Sequence, residues 1–271
     1  MHLFVRVNRE GRAVKGFRDG DRLYLENGEV ITDAEADYLA PAEPTKIIAM
    51  HLNFPSRLKA FQAKTPRWPS YFMKPPTTLA GHRAQVAKPK GTLYLNYEGE
   101  IALIIGRRAK SVSREDAWNY IAGYSPVIDY GLHDFRTSDA GSMLRVKGQD
   151  GFCPVGPAMI PAHMVDPHNM TLRTYVNGKV VQEDNTSTLM FPFDYIIADL
   201  SRLITLEPGD MILTGTPANS RPVEPGDVVE VEIEGFPKLT TTVVEREVDF
   251  ADFGAQPEDS ENARETAFEI R

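Results

Sequence analysis

Two glutamates separated by one residue, Glu98 and Glu100, are the first feature of the sequence that suggests chemistry. Side chains of a β-strand alternate between its faces, so residues two apart point the same way, with Cα atoms roughly 6.6–7 Å apart. Carboxylates at that spacing can converge on one cation, which removes the repulsion between like charges. Asp129 ends another apolar segment and supplies a third acid. Hard oxygen ligands of this kind favour Mg²⁺, Mn²⁺ or Ca²⁺ over zinc.

The same spacing also occurs where no chemistry is expected. Glu230 and Glu232 alternate with valines, and we interpret them as the wet face of a half-buried strand. A solvated strand face is therefore the alternative interpretation of Glu98 and Glu100 on spacing alone. The apolar run 101–105 that follows them is typical of a core strand, which would place the two acids at the edge of a rigid element.

The elements that must position these acids are predicted to be mostly β. Apolar residues alternate in the first residues of the chain, and residues 97–105 are a strong strand candidate. Asn177-Gly178 between two strand-like segments predicts a two-residue hairpin. Apolar spacing over 193–204 predicts a helix. An N-cap signal at 113–116 followed by apolar residues predicts another helix that ends at Gly123.

The chain divides into three parts by composition. We predict a small N-terminal β domain over residues 1–44, because the segment 40–44 has the composition of a linker. Residues 45–250 form a larger domain, which contains the three acids. Residues 251–271 are acidic and show little apolar periodicity, which indicates an arm or a frayed tail. The fold class is therefore mainly β with some helix.

Composition narrows the function classes. The net charge of −8 and the pI of about 5.3 argue against broad nucleic-acid binding, which needs a basic face. No apolar run approaches the ~20 residues of a membrane span, so no membrane partner is expected. Cys153 is the single cysteine, and we interpret it as a small buried thiol rather than a nucleophile. With no signal-like N-terminus and no disulfide, we expect a cytoplasmic protein.

Several motifs in order resemble the fumarylacetoacetate hydrolase superfamily. The stretch 97–106 looks like its metal-binding strand, and 121–129 is similar to the segment that carries its third ligand. Further matches lie, in order, at Lys147–Pro154, Val176–Gly178, Gln182 with Asn185–Thr186, and Leu206–Asp210 with Thr214–Pro217. The resemblance covers about residues 45–245 and is strongest to the isomerase/decarboxylase branch of homoprotocatechuate breakdown. It implies a mixed β-roll, usually assembled as a homodimer.

The resemblance also implies a site. Mg²⁺ or Mn²⁺ would be held by Glu98, Glu100 and Asp129 and would stabilise an enolate formed on a small anionic 2-oxo or 2-hydroxy acid. Lys147 matches a lysine beside the metal, where it could neutralise a substrate carboxylate or, with a lowered pKa, shuttle a proton. The remaining residues assigned to substrate binding are Gln182, Thr216 and Tyr130.

Two positions depart from the family pattern. Hydrolytic members carry a histidine that activates water, and here that position holds Arg57, which stays protonated and cannot act as a general base. His133 stands where many members have arginine and could titrate near neutrality. His51 or His82 could replace the missing base.

These departures favour a metal-dependent isomerase or decarboxylase of 2-hydroxy-dienedioates or their 2-oxo tautomers. In that hypothesis Lys147, Arg57 and His133 meet the carboxylates and protons of the substrate. The alternatives are an acylpyruvate-type hydrolase, an oxaloacetate decarboxylase, and a non-catalytic metal-binding member of the fold.

Overall fold

The first strands of the chain form a small sheet of their own. The computed structural model describes residues 2–139, 141–248, 250 and 253–270. A five-stranded antiparallel sheet has the order β4-β3-β2-β1-β5. Its strands are β1 (Leu3–Arg9), β2 (Arg12–Asp19), β3 (Arg22–Leu25), β4 (Val30–Thr32) and β5 (Tyr38–Leu39). The alternation predicted for β1 is confirmed, since Leu3, Val5 and Val7 are buried.

A six-stranded mixed sheet carries the residues of interest. Its order is β15-β12-β11-β18-β6-β7, in which only β18 and β6 run parallel. The strands are β6 (Ile47–Met50), β7 (Tyr71–Lys74), β11 (Gly99–Ile105), β12 (Ile121–Ile128), β15 (Ile160–Pro161) and β18 (Met211–Leu213). β11 is buried along its whole length, as a central strand covered on both faces requires.

A second mixed sheet packs against the first, with the order β17-β16-β19-β20-β9. Its strands are β9 (Gln85–Pro89), β16 (Thr171–Val176), β17 (Lys179–Asn185), β19 (Val228–Ile233) and β20 (Leu239–Arg246). The hairpin predicted at Asn177-Gly178 joins β16 to β17 and is confirmed. Two short pairs complete the strands: β8 (Leu79–Ala80) with β14 (Cys153–Pro154), and β10 (Leu95–Asn96) with β13 (Gly131–Leu132).

Helices are few and short, so the predicted mainly β class with some helix is confirmed. The α-helices are α1 (Pro55–Ala60), α2 (Leu144–Lys147), α3 (Phe193–Leu203) and α4 (Glu261–Phe268). Short 3₁₀ helices span Asp33–Glu35, Pro76–Thr78, Ala117–Tyr120, His133–Phe135, Ala162–Met164 and Thr186–Thr188. α3 confirms the helix predicted from apolar spacing. None of the helices in the described ranges has the length and apolar character that crossing a bilayer demands.

One prediction of local structure is wrong. The helix expected to run from the N-cap signal to Gly123 is only the 3₁₀ turn Ala117–Tyr120, and Ile121 already belongs to β12. Pairing of Ile121 with Ile105 across β11 and β12 outweighs the helical spacing of the local sequence.

The parts of the chain predicted from composition are packed closely together. One hydrophobic cluster includes side chains of β1 and of both large sheets, so the boundary at residue 44 stays a prediction. Within the acidic segment predicted over 251–271, Glu261–Phe268 form α4, in which Ala263 and Ala267 are buried. The choice between an arm and a frayed tail for residues 251–271 stays a prediction.

Candidate metal centre and substrate cavity

Glu98, Glu100 and Asp129 converge at one edge of the six-stranded sheet. β11 and β12 are antiparallel, and Gly99 pairs with Ile128, so the chain reaches Asp129 directly beside Glu98. The Asp129 N–H donates to the Glu98 carbonyl oxygen at 2.8 Å. One carboxylate oxygen from each acid lies within 4.8 Å of the others, and all three residues are buried. Glu98 precedes β11 rather than lying within it, but the two glutamates still share one site.

Gly99, between the two glutamates, is required by the neighbouring sheet. A Cβ atom at this position would lie 2.0 Å from the Thr174 hydroxyl of β16 and 3.0 Å from Val231 of β19. The Gly99 N–H also donates to Gln182 Oε1 at 3.2 Å. Only glycine allows the two sheets to approach this closely, so the motif Glu-Gly-Glu has a steric reason as well as a chemical one.

The pKa values of Glu98 and Glu100 are shifted in opposite directions. Burial, together with the charges of Asp129 and Glu98, raises the pKa of Glu100 well above its ordinary value. Burial alone would also raise the pKa of Glu98, but the Lys147 ammonium and the Arg57 guanidinium outweigh it and lower that pKa to about 2. A third buried negative charge is therefore unfavourable here without another cation. This donor set of three hard carboxylates fits a divalent metal ion.

Lys147 lies between two of the acids. Its Nζ donates to Glu98 Oε2 at 2.7 Å and to the Asp129 carbonyl oxygen at 2.9 Å. Gly131 leaves room for it, because a Cβ there would be 2.9 Å from Lys147 Cε. Burial disfavours the ammonium, but Asp129 and Glu98 outweigh that effect and raise the pKa of Lys147. The lowered pKa that a proton shuttle would need is absent, so Lys147 is a fixed cation.

Arg57, on α1, holds the other oxygen of Glu98. Its Nη2 donates to Glu98 Oε1 at 2.6 Å, and its Nη1 donates to Glu269 Oε1 at 2.7 Å. Both carboxylates and the guanidinium are buried, and Pro55 at the first position of α1 gives that short helix a fixed start. The arginine is thus placed by charged partners on two distant parts of the chain.

A cavity of about 210 Å³ opens beside the acids. Its wall includes all three predicted catalytic residues, Arg57, His133 and Lys147, with Glu98, Glu100 and Thr216. His51, Arg136 and Thr266 also line it. None of the three was assigned to the site from the sequence, although His51 was named as a possible replacement base. The apolar part of the wall comes from Met50, Leu52, Phe61, Ala63, Phe72 and Met143. Such a wall suits a small acid with a short carbon chain.

His133 is neutral in this setting. Burial and the nearby Lys147 ammonium lower its pKa to about 3, so the titration near neutrality expected from the sequence is wrong. Neither ring nitrogen has a hydrogen-bond partner among the described residues. A buried imidazole with both nitrogens unsatisfied at a cavity wall is available to a bound molecule.

Two residues assigned to substrate binding lie behind the cavity rather than in its wall. The Tyr130 hydroxyl lies 2.8 Å from Thr241 Oγ1 in the core. Gln182 Nε2 donates to Thr216 Oγ1 at 3.0 Å and to the Pro217 carbonyl oxygen at 2.8 Å. Gln182 therefore orients Thr216. His82 is likewise elsewhere, since its Nδ1 accepts the Thr240 N–H.

Besides Arg136, sequence reasoning missed Lys74 and Glu269, two charged residues that contact the site. The buried Lys74 forms a close ion pair with Asp129 and donates to the Lys147 carbonyl oxygen at 2.5 Å. Glu269 lies in the segment expected to be an arm or tail. No spacing signal relates either residue to the acids, because their contacts depend on strand order and on docking of the C-terminus. Cys153, by contrast, is a buried thiol as predicted, and burial raises its pKa to about 12.

Comparison with known proteins identifies the family. Residues 46–244 match the family model for the fumarylacetoacetate (FAA) hydrolase C-terminal domain. The chain belongs to the fumarylacetoacetate hydrolase family. The 4-hydroxyphenylacetate degradation bifunctional isomerase/decarboxylase of Escherichia coli is 38% identical over 234 residues, which are 86% of this chain and 54% of that protein. The chain thus spans about half the length of this curated relative.

Solved structures place the fold in the same family. The 2-hydroxyhepta-2,4-diene-1,7-dioate isomerase of Mycobacterium marinum superposes with a TM-score of 0.80 at 33% identity, covering 91% of this chain and 99% of that one. A maleylpyruvate hydrolase from Sphingobium sp. SYK-6, in complex with manganese(II) ion and pyruvate, gives a TM-score of 0.76 at 27% identity, covering 90% and 99%. Fumarylacetoacetate hydrolase relatives are thus enzymes of more than one reaction class, and one holds a divalent metal.

Proposed function

We propose that the chain is a metal-dependent isomerase or decarboxylase of 2-hydroxy-dienedioates or 2-oxo-enedioates from aromatic catabolism. The observation that carries the proposal is the buried cluster of Glu98, Glu100 and Asp129, beside a cavity in which Arg57 stands where hydrolytic members have histidine. The isomerase and isomerase/decarboxylase relatives support the same class.

The three acids are the residues that would hold the ion, which we take to be Mg²⁺ or Mn²⁺. When bound, such an ion supplies positive charge next to the oxygen on which an enolate develops. The Lys147 ammonium adds a second fixed positive charge beside Glu98 and Asp129. Charge developing at the 2-oxo end of a substrate would therefore meet a preorganised cationic environment.

Arg57 and His133 are the other two residues of the cavity wall to which we assign a role. Arg57 presents a guanidinium to the cavity and is suited to a substrate carboxylate. His133 is neutral, and its ring nitrogens have no hydrogen-bond partner among the described residues, so it is placed to hydrogen-bond a substrate; to take up a proton from a substrate carbon, its low pKa would have to rise when the anionic substrate binds. Isomerisation needs such a proton transfer but no activated water.

The test uses purified protein with Mn²⁺ or Mg²⁺ and 2-hydroxyhepta-2,4-dienedioate. We expect metal-dependent loss of the conjugated-diene absorbance, and CO₂ release from the corresponding tricarboxylate if the chain decarboxylates. Glu100→Gln serves as the inactive control. No reaction with either compound, with metal bound, would contradict this function; no reaction with an acylpyruvate or oxaloacetate as well would support a non-catalytic member of the fold.

A second candidate is an acylpyruvate hydrolase, and His51 is the observation that favours it. His51 lines the cavity, and its Nδ1 lies 3.0 Å from Ser70 Oγ, which orients the ring. Burial and the Arg136 charge lower its pKa, so the ring is neutral and able to take a proton from water. Metal-dependent pyruvate release from an acylpyruvate, lost in His51→Ala, would establish this reaction. Release of CO₂ from oxaloacetate would instead identify an oxaloacetate decarboxylase.

We also propose that the chain forms a homodimer. A surface groove lined by Trp68, Tyr71 and Leu203 leaves Trp68 62% exposed and Leu203 67% exposed. Large apolar side chains grouped on a surface are typical of an interface between subunits. Light scattering should give twice the chain mass of 30.3 kDa, and Trp68→Glu should reduce it.

A further inference from the structure

The C-terminal helix α4 lies outside the segment matched by the family model, which ends at residue 244. It is nevertheless built into the body of the protein. Asn96 Nδ2 donates to the Ala267 carbonyl oxygen at 2.8 Å, and the Tyr94 hydroxyl donates to Asp259 at 2.6 Å. Ser260 caps the helix by accepting the Ala263 N–H. The helix is thus docked at both of its ends.

The residue that follows the helix turns inward. Glu269 has a φ of +51° in the left-handed region, which ends α4 and directs the side chain under the surface, where it is 6% exposed. Its carboxylate accepts the Asn219 N–H at 2.7 Å and the Ser220 N–H at 3.1 Å. Arg221 Nη1 also donates to it, at 3.1 Å. The position of this carboxylate is therefore fixed before any contact with Arg57 is counted.

Through this carboxylate the C-terminus reaches the cavity. Glu269 Oε1 accepts from Arg57 Nη1 at 2.7 Å, while Nη2 of the same guanidinium is held by Glu98. Thr266, on the inner face of α4, lines the cavity itself. A planar guanidinium held at both Nη atoms has one orientation, and its remaining N–H groups then have a fixed direction.

We propose that the C-terminal segment 258–269 completes the substrate cavity, and that Glu269 is a positioning residue which aims Arg57 at the second carboxylate of a dicarboxylate substrate. The inference rests on the proposed function, because it assumes that the 2-oxo end of the substrate lies at the three acids. Arg57 lines the cavity and contacts Glu98 through one Nη atom and Glu269 through the other; in this proposal its guanidinium meets the end of the substrate that the three acids do not hold.

The test compares binding of a dicarboxylate with binding of a monocarboxylate of the same chain length. Calorimetry in the presence of Mn²⁺ measures the Kd of 2-oxoadipate and of 2-oxohexanoate for the full chain and for Glu269→Gln. We expect the variant to bind 2-oxoadipate about tenfold more weakly, since one charge-assisted anchor of Arg57 is lost, and 2-oxohexanoate within about twofold. Glu265→Gln, the same chemical change one turn earlier in α4, should leave both Kd values unchanged.

Arg57→Lys separates positioning from a merely structural role. If Glu269 acts through Arg57, adding Glu269→Gln to Arg57→Lys should produce no further loss of 2-oxoadipate binding. Glu269→Asp should recover part of the affinity. Equal weakening of both acids in Glu269→Gln, additive losses in the double variant, or no loss at all would overturn the inference.

Failure of the inference and failure of the proposed function give different results. If the wild-type protein and the variants bind the two acids as predicted but the protein does not transform 2-hydroxyhepta-2,4-dienedioate, the proposed reaction is wrong and the role of Glu269 is supported. If wild-type protein and Glu269→Gln transform the dienedioate with the same KM, the proposed reaction is supported and the role of Glu269 is wrong. Wild-type protein that binds neither acid overturns both.

Discussion

Two Glu-x-Glu pairs of the molecule, Glu98 with Glu100 and Glu230 with Glu232, lie on the two facing sheets and have opposite environments. Glu98 and Glu100 are buried beside Asp129, and the pKa values of both glutamates are shifted strongly. Glu230 and Glu232 lie on β19 with Val229, Val231 and Ile233 buried on its other face. Their side chains are only partly buried, and the Lys238 ammonium lies 3.8 Å from Glu230. Spacing alone therefore does not identify a candidate metal site. Burial and a third acid distinguish the first pair from the second.

The residue between the two glutamates of each pair helps to determine how deeply that pair is buried. Gly99 separates the first pair and Val231 the second, and these two residues face each other across the sheets. Val231, together with the closer Thr174, fills the space that a side chain at position 99 would need. The second strand thus supplies apolar packing that buries the first, while its own glutamates stay at the partly wet surface.

The largest expected effect follows removal of a ligand. Glu100→Ala or Glu98→Ala should lower the metal-dependent rate by about a thousandfold or more, because charge developing in the transition state loses its stabilisation. Glu230→Ala, with the same spacing from its partner, should stay within about twofold of wild type. Steady-state turnover with saturating Mn²⁺ makes the comparison. Full activity in the Glu98 and Glu100 variants would show that the wrong pair has been assigned.

Removing the lysine beside each glutamate pair should lower the free energy of unfolding by different amounts. Lys147→Met leaves Glu98 and Asp129 short of a buried partner and should lower the free energy of unfolding of the metal-free protein by about 3–5 kcal/mol. The matched change Lys238→Met removes a partly exposed pair and should cost less than about 1 kcal/mol. Urea unfolding of both variants measures the difference, and similar losses would contradict it.

A smaller effect is expected at the glycine that separates the acids. Gly99→Ala forces Thr174 or the strand itself to move and should lower the free energy of unfolding by about 1–3 kcal/mol. Because both glutamates flank the change, Mn²⁺ affinity should fall as well. The double variant Gly99→Ala with Thr174→Ala relieves the closest contact and should recover part of both losses. No recovery would mean that the steric argument is wrong.

The smallest effect concerns pH. A carboxyl group whose pKa is raised in the folded protein contributes stability that is complete below its unfolded pKa and is lost as pH rises toward the folded value. Glu100 is such a group, so metal-free protein should unfold at a lower temperature at about pH 8 than at about pH 5. Glu100→Gln should flatten this dependence and Glu230→Gln should not. Thermal unfolding in chelator tests it, and an unchanged slope in Glu100→Gln would contradict the assignment.

Sequence reasoning reached the parts of the structure that depend on local chemistry. Alternation predicted β1, the Asn177-Gly178 turn predicted a hairpin, and the apolar spacing of α3 predicted a helix, because each pattern is satisfied by near neighbours. Ile121 was misassigned to a helix, since its pairing partner Ile105 lies outside any local window.

The candidate site divides in the same way. Glu98, Glu100 and Asp129 could be found from strand spacing and from the family resemblance. Glu269 could not, because its contact with Arg57 joins residues 212 positions apart in the chain. Lys74 has no distinguishing neighbours in the sequence and reaches Asp129 only through sheet order. The positions of Tyr130 and Gln182 behind the wall likewise depend on how the two sheets pack.

Direct titration with metal tests the central claim. Calorimetry of the chelator-treated protein with Mn²⁺ should show one site per chain, abolished in Glu100→Ala and unchanged in Glu230→Ala. Binding that survives in Glu98→Ala, Glu100→Ala and Asp129→Ala alike, or that is lost in Glu230→Ala, would contradict the assignment of the buried acids as the metal centre.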